Sequence, residues 1–77
     1  MKGSVYSVVE IVGTSEESWE DAAKQAIETA AKTLDDIRIA EVVTQDVTLE
    51  VSRATHYNII GRYRTKLNVS FKYHPDK

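Results

Sequence analysis

Residues Val8 to Ala31 read VVEIVGTSEESWEDAAKQAIETAA, and this stretch decides the fold. The β-branched residues before Gly13 predict a strand, which we expect to end at the glycine. Serine, threonine and acidic residues follow, as is typical of the first turn of a helix. The apolar residues of the helix are mostly alanine and recur every three or four positions, so they share one face. An alanine face lies close to a sheet but buries little area, so we expect copies of the chain to complete the core.

The predicted helix has three possible N-cap residues, Thr14, Ser15 and Ser18, and is expected to end around residues 33–36. Ser18 has the spacing of a weak capping box with Asp21. The expected buried stripe contains seven residues: Trp19, Ala22, Ala23, Ala26, Ile27, Ala30 and Leu34. Because the only tryptophan lies in this stripe, packing in the core or at an interface is favoured over stacking on a ligand.

Two further strands are predicted after the helix. The first covers about residues 39–51, with the odd-numbered residues from Val43 onward on one face. The second covers residues 63–73 and alternates strictly between apolar and polar side chains, which indicates one buried face. Residues 52–61 fit either a hairpin loop or extensions of both strands beyond a turn. The predicted class is α+β, in the order β-α-β-β, with a three-stranded antiparallel sheet packed on one helix.

Length and composition exclude several classes of function. The 77 residues fit a single domain, residues 1–77, near the lower limit of independent stability. The chain has no cysteine, so self-association is the stabilising device that remains. A net charge of -2 offers no basic surface for nucleic acid. The N-terminal segment is too short and too polar for a signal peptide or a membrane span, so we expect a cytoplasmic protein with no membrane partner.

Several segments, in this order along the chain, resemble the dodecin family. They are VEIVGTS at 9–15, Ser18-Trp19, the alanine-rich helix, DDIRIAEV at 35–42 and YRTKLNVSF at 63–71. The resemblance covers most of the chain except residues 52–61, which are longer than the usual dodecin hairpin. It implies a hollow homo-dodecamer of β-α-β-β protomers. It also implies that flavins, such as FMN or riboflavin, are bound in stacked pairs and stored, or that their photochemistry is quenched.

Two positions of the family's flavin site are substituted in this sequence. The resemblance places Ile39 where the family has a tryptophan that stacks on the flavin ring, and Arg64 where it has a glutamine that bonds the polar edge. Ile39 has no π face, so the stacking energy is lost. Arg64 only donates hydrogen bonds, whereas glutamine also accepts them. We therefore expect flavin binding to be weak or absent.

The chain resembles most the subgroup of calcium dodecins, which carry Ser-Trp-Glu at the helix start and arginine in place of the glutamine. This resemblance implies the same cage with bound cations. Calcium needs several hard oxygen ligands, and the candidates are Asp46, Glu50 and Glu41, which symmetry would multiply in an assembly. The simpler alternative is that Asp46 and Glu50 form cross-strand ion pairs with the basic residues of the last strand.

No catalytic site is indicated by the sequence. It has no glycine-rich phosphate loop, no thiol nucleophile and no supported set of His, acid and Ser. We therefore expect a non-enzymatic protein that binds and stores a small ligand. The first alternative is a calcium-binding or cation-binding cage, and the second is an assembly with a purely structural role.

Overall fold

The computed structural model describes residues 3–73, which form one helix and three strands. Their bounds are β1 Tyr6–Ser15, α1 Trp19–Ala30, β2 Ile37–Val51 and β3 Asn58–Lys72. The strands form one antiparallel sheet in the order β1-β3-β2. The predicted β-α-β-β order, with one helix on a three-stranded antiparallel sheet, is confirmed. Within the described residues, the helix is too short and too polar to cross a membrane.

The core lies between α1 and one face of the sheet, which we call the inner face. Leu67 and Val69 of β3 are completely buried there, because β3 has a neighbouring strand on each side. Ala22 and Ala26 are the buried residues of α1. In the part of the chain that the structure describes, these four are the only buried apolar residues. The hydrophobic core is therefore small, as the alanine-rich helix predicts.

β1 does not end at Gly13, contrary to the sequence prediction. It continues to Ser15, and Gly13 lies opposite Thr65 in the sheet. The backbone of α1 passes directly over Gly13: an added Cβ would lie 2.8 Å from the Ala26 Cβ and would overlap the carbonyl oxygen of Ala22. The glycine therefore allows the helix to approach the sheet closely, and no turn depends on it.

α1 begins after Ser18, whose hydroxyl accepts a hydrogen bond of 3.0 Å from the backbone N–H of Asp21. Ser15 belongs to β1, and its buried hydroxyl donates a 2.6 Å hydrogen bond to the Asp21 carboxylate. The helix ends at Ala30, earlier than predicted, and the N–H of Thr33 then bonds the Ala30 carbonyl in a tighter turn. The last turn has no basic residue to stabilise the negative end of the helix dipole.

Three irregularities interrupt the pairing of β2 with β3. The pairing passes over Arg38 and Val43 in β2 and over Gly61 in β3, so each is an extra residue of a bulge. The predicted sharing of one face is confirmed by the register from Gln45 to Val51, and Val43 is the extra residue of a bulge. After the bulge, Val47 lies opposite Tyr63 on the inner face.

β2 and β3 continue past the rest of the molecule as a hairpin, which we call the arm (residues 49–60). β2 ends at Val51 and β3 begins at Asn58, so residues 52–57 form a loop and residues 58–61 extend β3 beyond its predicted start. Each of the two interpretations of residues 52–61 therefore holds for a part of the segment. β1 reaches only to the level of Tyr63. The molecule is 63 Å long with a radius of gyration of 16.5 Å. A compact domain of this length would have a radius of gyration of about 11.5 Å.

Candidate functional site

Ile39 lies on the outer face of the sheet, which is the face opposite α1. It is paired with Ser70 immediately after the bulge at Arg38. Its side chain is 64% exposed. The position therefore offers an open apolar surface that has no aromatic face for stacking.

Arg64 lies on the same outer face, opposite Asp46 of β2. Its Nε donates a hydrogen bond to Oδ1 of Asp46 at 2.7 Å, and its Nη2 donates to Oδ2 at 2.8 Å. Two parallel bonds of this kind fix the orientation of both side chains. Two donors of the guanidinium are thus already engaged within the chain.

This ion pair changes the titration of both groups. The hydrogen bonds from Arg64 lower the pKa of the Asp46 carboxyl from its usual 3.8, and the same bonds raise the pKa of Arg64. A carboxyl whose pKa is lowered by folding stabilises the folded state above its ordinary pKa. The pair is therefore intact at neutral pH, and its contribution is lost only as the pH falls through the lowered pKa of Asp46.

Trp19 holds the start of α1 against both long strands. Its indole Nε1 donates a 2.9 Å hydrogen bond to the backbone carbonyl of Asp46, and its ring meets Tyr63 edge to face at a centroid distance of 5.1 Å. Thr65 donates a 2.8 Å hydrogen bond from Oγ1 to the Trp19 carbonyl. Trp19 therefore packs between secondary-structure elements, as its place in the helical stripe predicts.

The structure does not bring Ile39 and Arg64 together within one chain. Ile39 is paired with Ser70, which is six residues from Arg64 along β3. At about 3.3 Å per residue, the two positions are about 20 Å apart. A site that uses both of them must be formed by two or more copies.

The three predicted calcium ligands are also separated in one chain. Each lies opposite a different residue of β3: Glu41 opposite Asn68, Asp46 opposite Arg64, and Glu50 opposite Ile59. Neighbours in this set are about 13 to 17 Å apart along β2, whereas all ligands of one calcium ion lie within about 2.6 Å of it. Within residues 3–73, no three His, Asp or Glu side chains gather where they could hold a metal ion.

Three basic residues of β3 form ion pairs with acidic residues in three parts of the chain. These are Asp46 of β2 for Arg64, Glu10 of β1 for Lys66 at 3.5 Å, and Glu16 of the β1–α1 turn for Arg62 at 3.7 Å. The cross-strand alternative is therefore confirmed for Asp46. It is wrong for Glu50, which, like Glu41, has no ion-pair partner among the residues described. The partners Glu10 and Glu16 were missed, because the sequence alone does not place β1 and its following turn beside β3.

Residues 5–74 match the family model named Dodecin. Calcium dodecin from Mycobacterium tuberculosis is 44% identical over 72 residues, which cover 94% of this chain and 93% of that protein. The crystal structure of calcium dodecin from the same organism is 47% identical, with a TM-score of 0.72 over 96% of this chain and 97% of the other. That protein is described as calcium chelating, with a novel calcium-binding site.

A second solved structure has a similar fold at lower sequence identity. It is an arginine-to-alanine variant of dodecin from Thermus thermophilus, with 36% identity and a TM-score of 0.79. The alignment covers 94% of this chain and 98% of that one. The sequence matches extend over nearly the whole chain, and the sheet and helix have the same arrangement in both structures. The chain therefore belongs to the dodecin family.

Proposed function

We propose that this chain is a non-enzymatic protein that assembles with copies of itself into a hollow homo-dodecamer. In this proposal, the assembly binds and stores a small ligand or a cation at sites between the copies. The observation that carries the proposal is the amount of exposed surface. The chain exposes 5981 Å², whereas a folded monomer of 8.7 kDa is expected to expose about 4,700 Å². The excess, about 1,300 Å², is larger than the roughly 800 Å² that each partner contributes to a standard interface.

The residues on this exposed surface also support self-assembly. Large apolar side chains are exposed on the outer face of β1, at the start of β2 and along the arm; examples are Val8, Val12, Ile39, Leu49 and Ile60. Extended apolar patches on a small protein commonly mark surfaces that bind another protein. Assembly also provides a way for positions that are about 20 Å apart in one chain to contribute to one site.

The assembly is tested by size-exclusion chromatography with light scattering. We expect a particle of about twelve times the 8.7 kDa chain mass. A folded particle with the mass of one chain, at micromolar concentration, would contradict the proposal. The measurement needs no ligand, so its result does not depend on which molecule the assembly binds.

Flavin binding is expected to be weak or absent. Ile39 lacks an aromatic face, and two donors of Arg64 already bond Asp46, so a flavin edge would have to displace that carboxylate. Adding the purified protein to FMN or riboflavin and following flavin fluorescence tests this expectation. We expect no stoichiometric quenching at micromolar protein, and tight quenching would show that the substituted site still binds flavin.

A gain of flavin affinity is expected when the aromatic face is supplied. Aromatic stacking contributes about 0.5 to 1.5 kcal/mol, so Ile39→Trp should tighten flavin binding by about 2-fold to 12-fold per contact. Ile39→Leu is the matched control, since leucine keeps the apolar area without a π face. Equal affinities for the two variants would argue against a ligand site at this position.

Calcium is a second candidate ligand. It is favoured by the 44% identity to the M. tuberculosis calcium dodecin and by two carboxylates, Glu41 and Glu50, that are exposed and form no ion pair within residues 3–73. The candidate carboxylates do not fit one calcium ion in a single chain. In the proposed site, each ion is therefore held by carboxylates from several copies.

Calorimetry with calcium on chelator-treated protein tests this second candidate. We expect a binding heat that Glu50→Gln and Asp46→Asn reduce, because each variant removes one carboxylate from β2. Glu28→Gln removes a carboxylate from the exposed side of α1 and is the matched control. The absence of a binding heat at millimolar calcium would exclude a calcium site on β2. An equal loss of binding heat in the Glu28→Gln control would exclude it as well.

A further inference from the structure

A cavity of about 550 Å³ lies between β1 and α1. Its walls come from residues 11–14 of β1, from one side of α1 and from Thr33, just after the helix. Neither Ile39, nor Arg64, nor any of the candidate calcium ligands lines it. Pockets that bind small molecules usually have volumes of about 300 to 1,000 Å³. The cavity is therefore large enough for a small organic ligand.

Val12 and Thr14 present backbone hydrogen-bonding groups to this cavity. β1 is an edge strand, with β3 on one side only. The N–H of Tyr73 donates a 2.8 Å hydrogen bond to the Val5 carbonyl, and the register then continues without interruption to Ser15. Since bonded and non-bonded pairs alternate in an antiparallel sheet, the odd-numbered residues of β1 bond β3. The N–H and C=O groups of the even-numbered residues therefore point to the open edge.

The opposite wall of the cavity contains uncharged polar side chains, which are Gln25 and Thr29 of α1 and Thr33. Within residues 3–73, the side chains of Gln25 and Thr29 form no hydrogen bond. The hydroxyl of Thr33 donates only a long one, of 3.4 Å, to the Ala30 carbonyl. Amide and hydroxyl groups both donate and accept hydrogen bonds. These side chains are therefore available to a ligand in the cavity.

The cavity is electrically neutral. Of the described residues that line it, none is charged, although 29% of all residues in the chain are. Ile11, Ala26 and Ala30 add apolar contacts between the polar groups. A charged ligand would lose part of its hydration here without gaining an opposite charge. The lining therefore favours a neutral ligand that has both apolar surface and hydrogen-bonding atoms.

We propose that this cavity binds a small, neutral cyclic amide or imide. The ring N–H and C=O of such a ligand pair with the C=O and N–H of Val12 or Thr14, as the backbone of a neighbouring strand would. The amide of Gln25 bonds a further polar atom of the ring. The site lies within one chain, so it depends neither on the proposed assembly nor on ligand sites between copies.

An extended peptide is the other kind of ligand that pairs with an open strand edge. The cavity spans four residues of β1, which is about 13 Å along the strand. A typical strand of five or six residues is about 17 to 20 Å long and would extend beyond the cavity. A compact ring therefore fits this cavity better than an added strand does.

Equilibrium dialysis of the purified protein against uracil, a neutral cyclic imide, tests the proposal. We expect saturable binding of one uracil per chain. The control ligand 1,3-dimethyluracil has the same ring without an N–H, and it should bind at least about tenfold more weakly. No binding at about 10 mM uracil, or equal affinities for the two ligands, would overturn the proposal. Tighter binding of the uncharged peptide N-acetyl-tetra-alanine amide would also overturn it.

Two variants locate the site, and circular dichroism establishes that each is folded. Ala30→Leu fills part of the cavity and should weaken uracil binding at least about tenfold. Ala31→Leu adds the same side chain at the next position, which does not line the cavity, and should leave the affinity unchanged. Gln25→Leu removes a donor and an acceptor and should weaken binding at least about threefold. Unchanged affinity in both Ala30→Leu and Gln25→Leu, or an equal loss in Ala31→Leu, would overturn this location.

Discussion

Replacing Gly13 by alanine is expected to destabilise the folded protein strongly. The added Cβ would overlap the Ala22 carbonyl oxygen and lie 2.8 Å from the Ala26 Cβ. The oxygen belongs to helix backbone and cannot rotate away, so α1 would have to move off the sheet and expose Leu67 and Val69. We expect a loss of at least about 4 kcal/mol, compared with a total stability of about 5 to 15 kcal/mol for a typical domain.

Urea unfolding followed by circular dichroism measures this loss, with Gly61→Ala as the matched control. A Cβ at Gly61 would meet only side-chain atoms, at 2.9 Å from Thr48 Oγ1 and 3.3 Å from the Glu50 carboxylate. These side chains can shift, so Gly61→Ala should lower the free energy of unfolding by only about 1 kcal/mol. Equal costs for the two variants, at the same protein concentration, would show that close approach of the helix is not what requires Gly13.

A hundredfold dilution is expected to lower the free energy of unfolding by about 2.7 kcal/mol for each partner whose binding is coupled to folding. The reason is the small core, which contains only Ala22, Ala26, Leu67 and Val69 as buried apolar residues among those described. In the proposed assembly, contacts with neighbouring copies supply much of the stability, and they weaken by mass action. For a chain of this length, the loss corresponds to a fall in Tm of about 10 to 20 °C.

Thermal unfolding at two protein concentrations, followed by circular dichroism, measures the dependence on dilution. Light scattering at the same concentrations shows whether the particle mass falls in parallel. An unchanged Tm together with the mass of a single chain would mean that one copy is stable by itself. That result would remove the physical basis for placing ligand sites between copies.

The inner face of β3 was the most predictable part of the fold. Strict alternation from Tyr63 onward predicts one buried face, and Thr65, Leu67 and Val69 are indeed buried. The pattern is clear because β3 is the central strand, so α1 and both neighbouring strands bury the same side chains. α1 was predictable for a similar reason, since its alanine stripe has to face the sheet.

The features that sequence reasoning missed depend on contacts between distant parts of the chain. A glycine that admits a helix backbone has the same sequence signal as a glycine that ends a strand, which explains the error at Gly13. Bulges such as those at Val43 and Gly61 are set by the register of two strands, which alternation within one strand does not reveal.

The candidate site was predictable only in part. Arg64 and Asp46 could be proposed as an ion pair, because acidic and basic residues alternate on the polar faces of adjacent strands. The hydrogen bond from Trp19 to the Asp46 carbonyl has no sequence signal, since every residue carries a carbonyl. The separation of Ile39 from Arg64 along the sheet follows from the pairing of β2 with β3, which only the fold defines.

Gly61 also affects how a hairpin of this kind can change length during evolution. In a regular strand, inserting a single residue would reverse the orientation of every side chain beyond it. A bulge accommodates the odd residue locally, so the tip can gain or lose one position while the pairing nearer the core is preserved. Natural variation in the length of this tip is therefore compatible with an unchanged body of the fold.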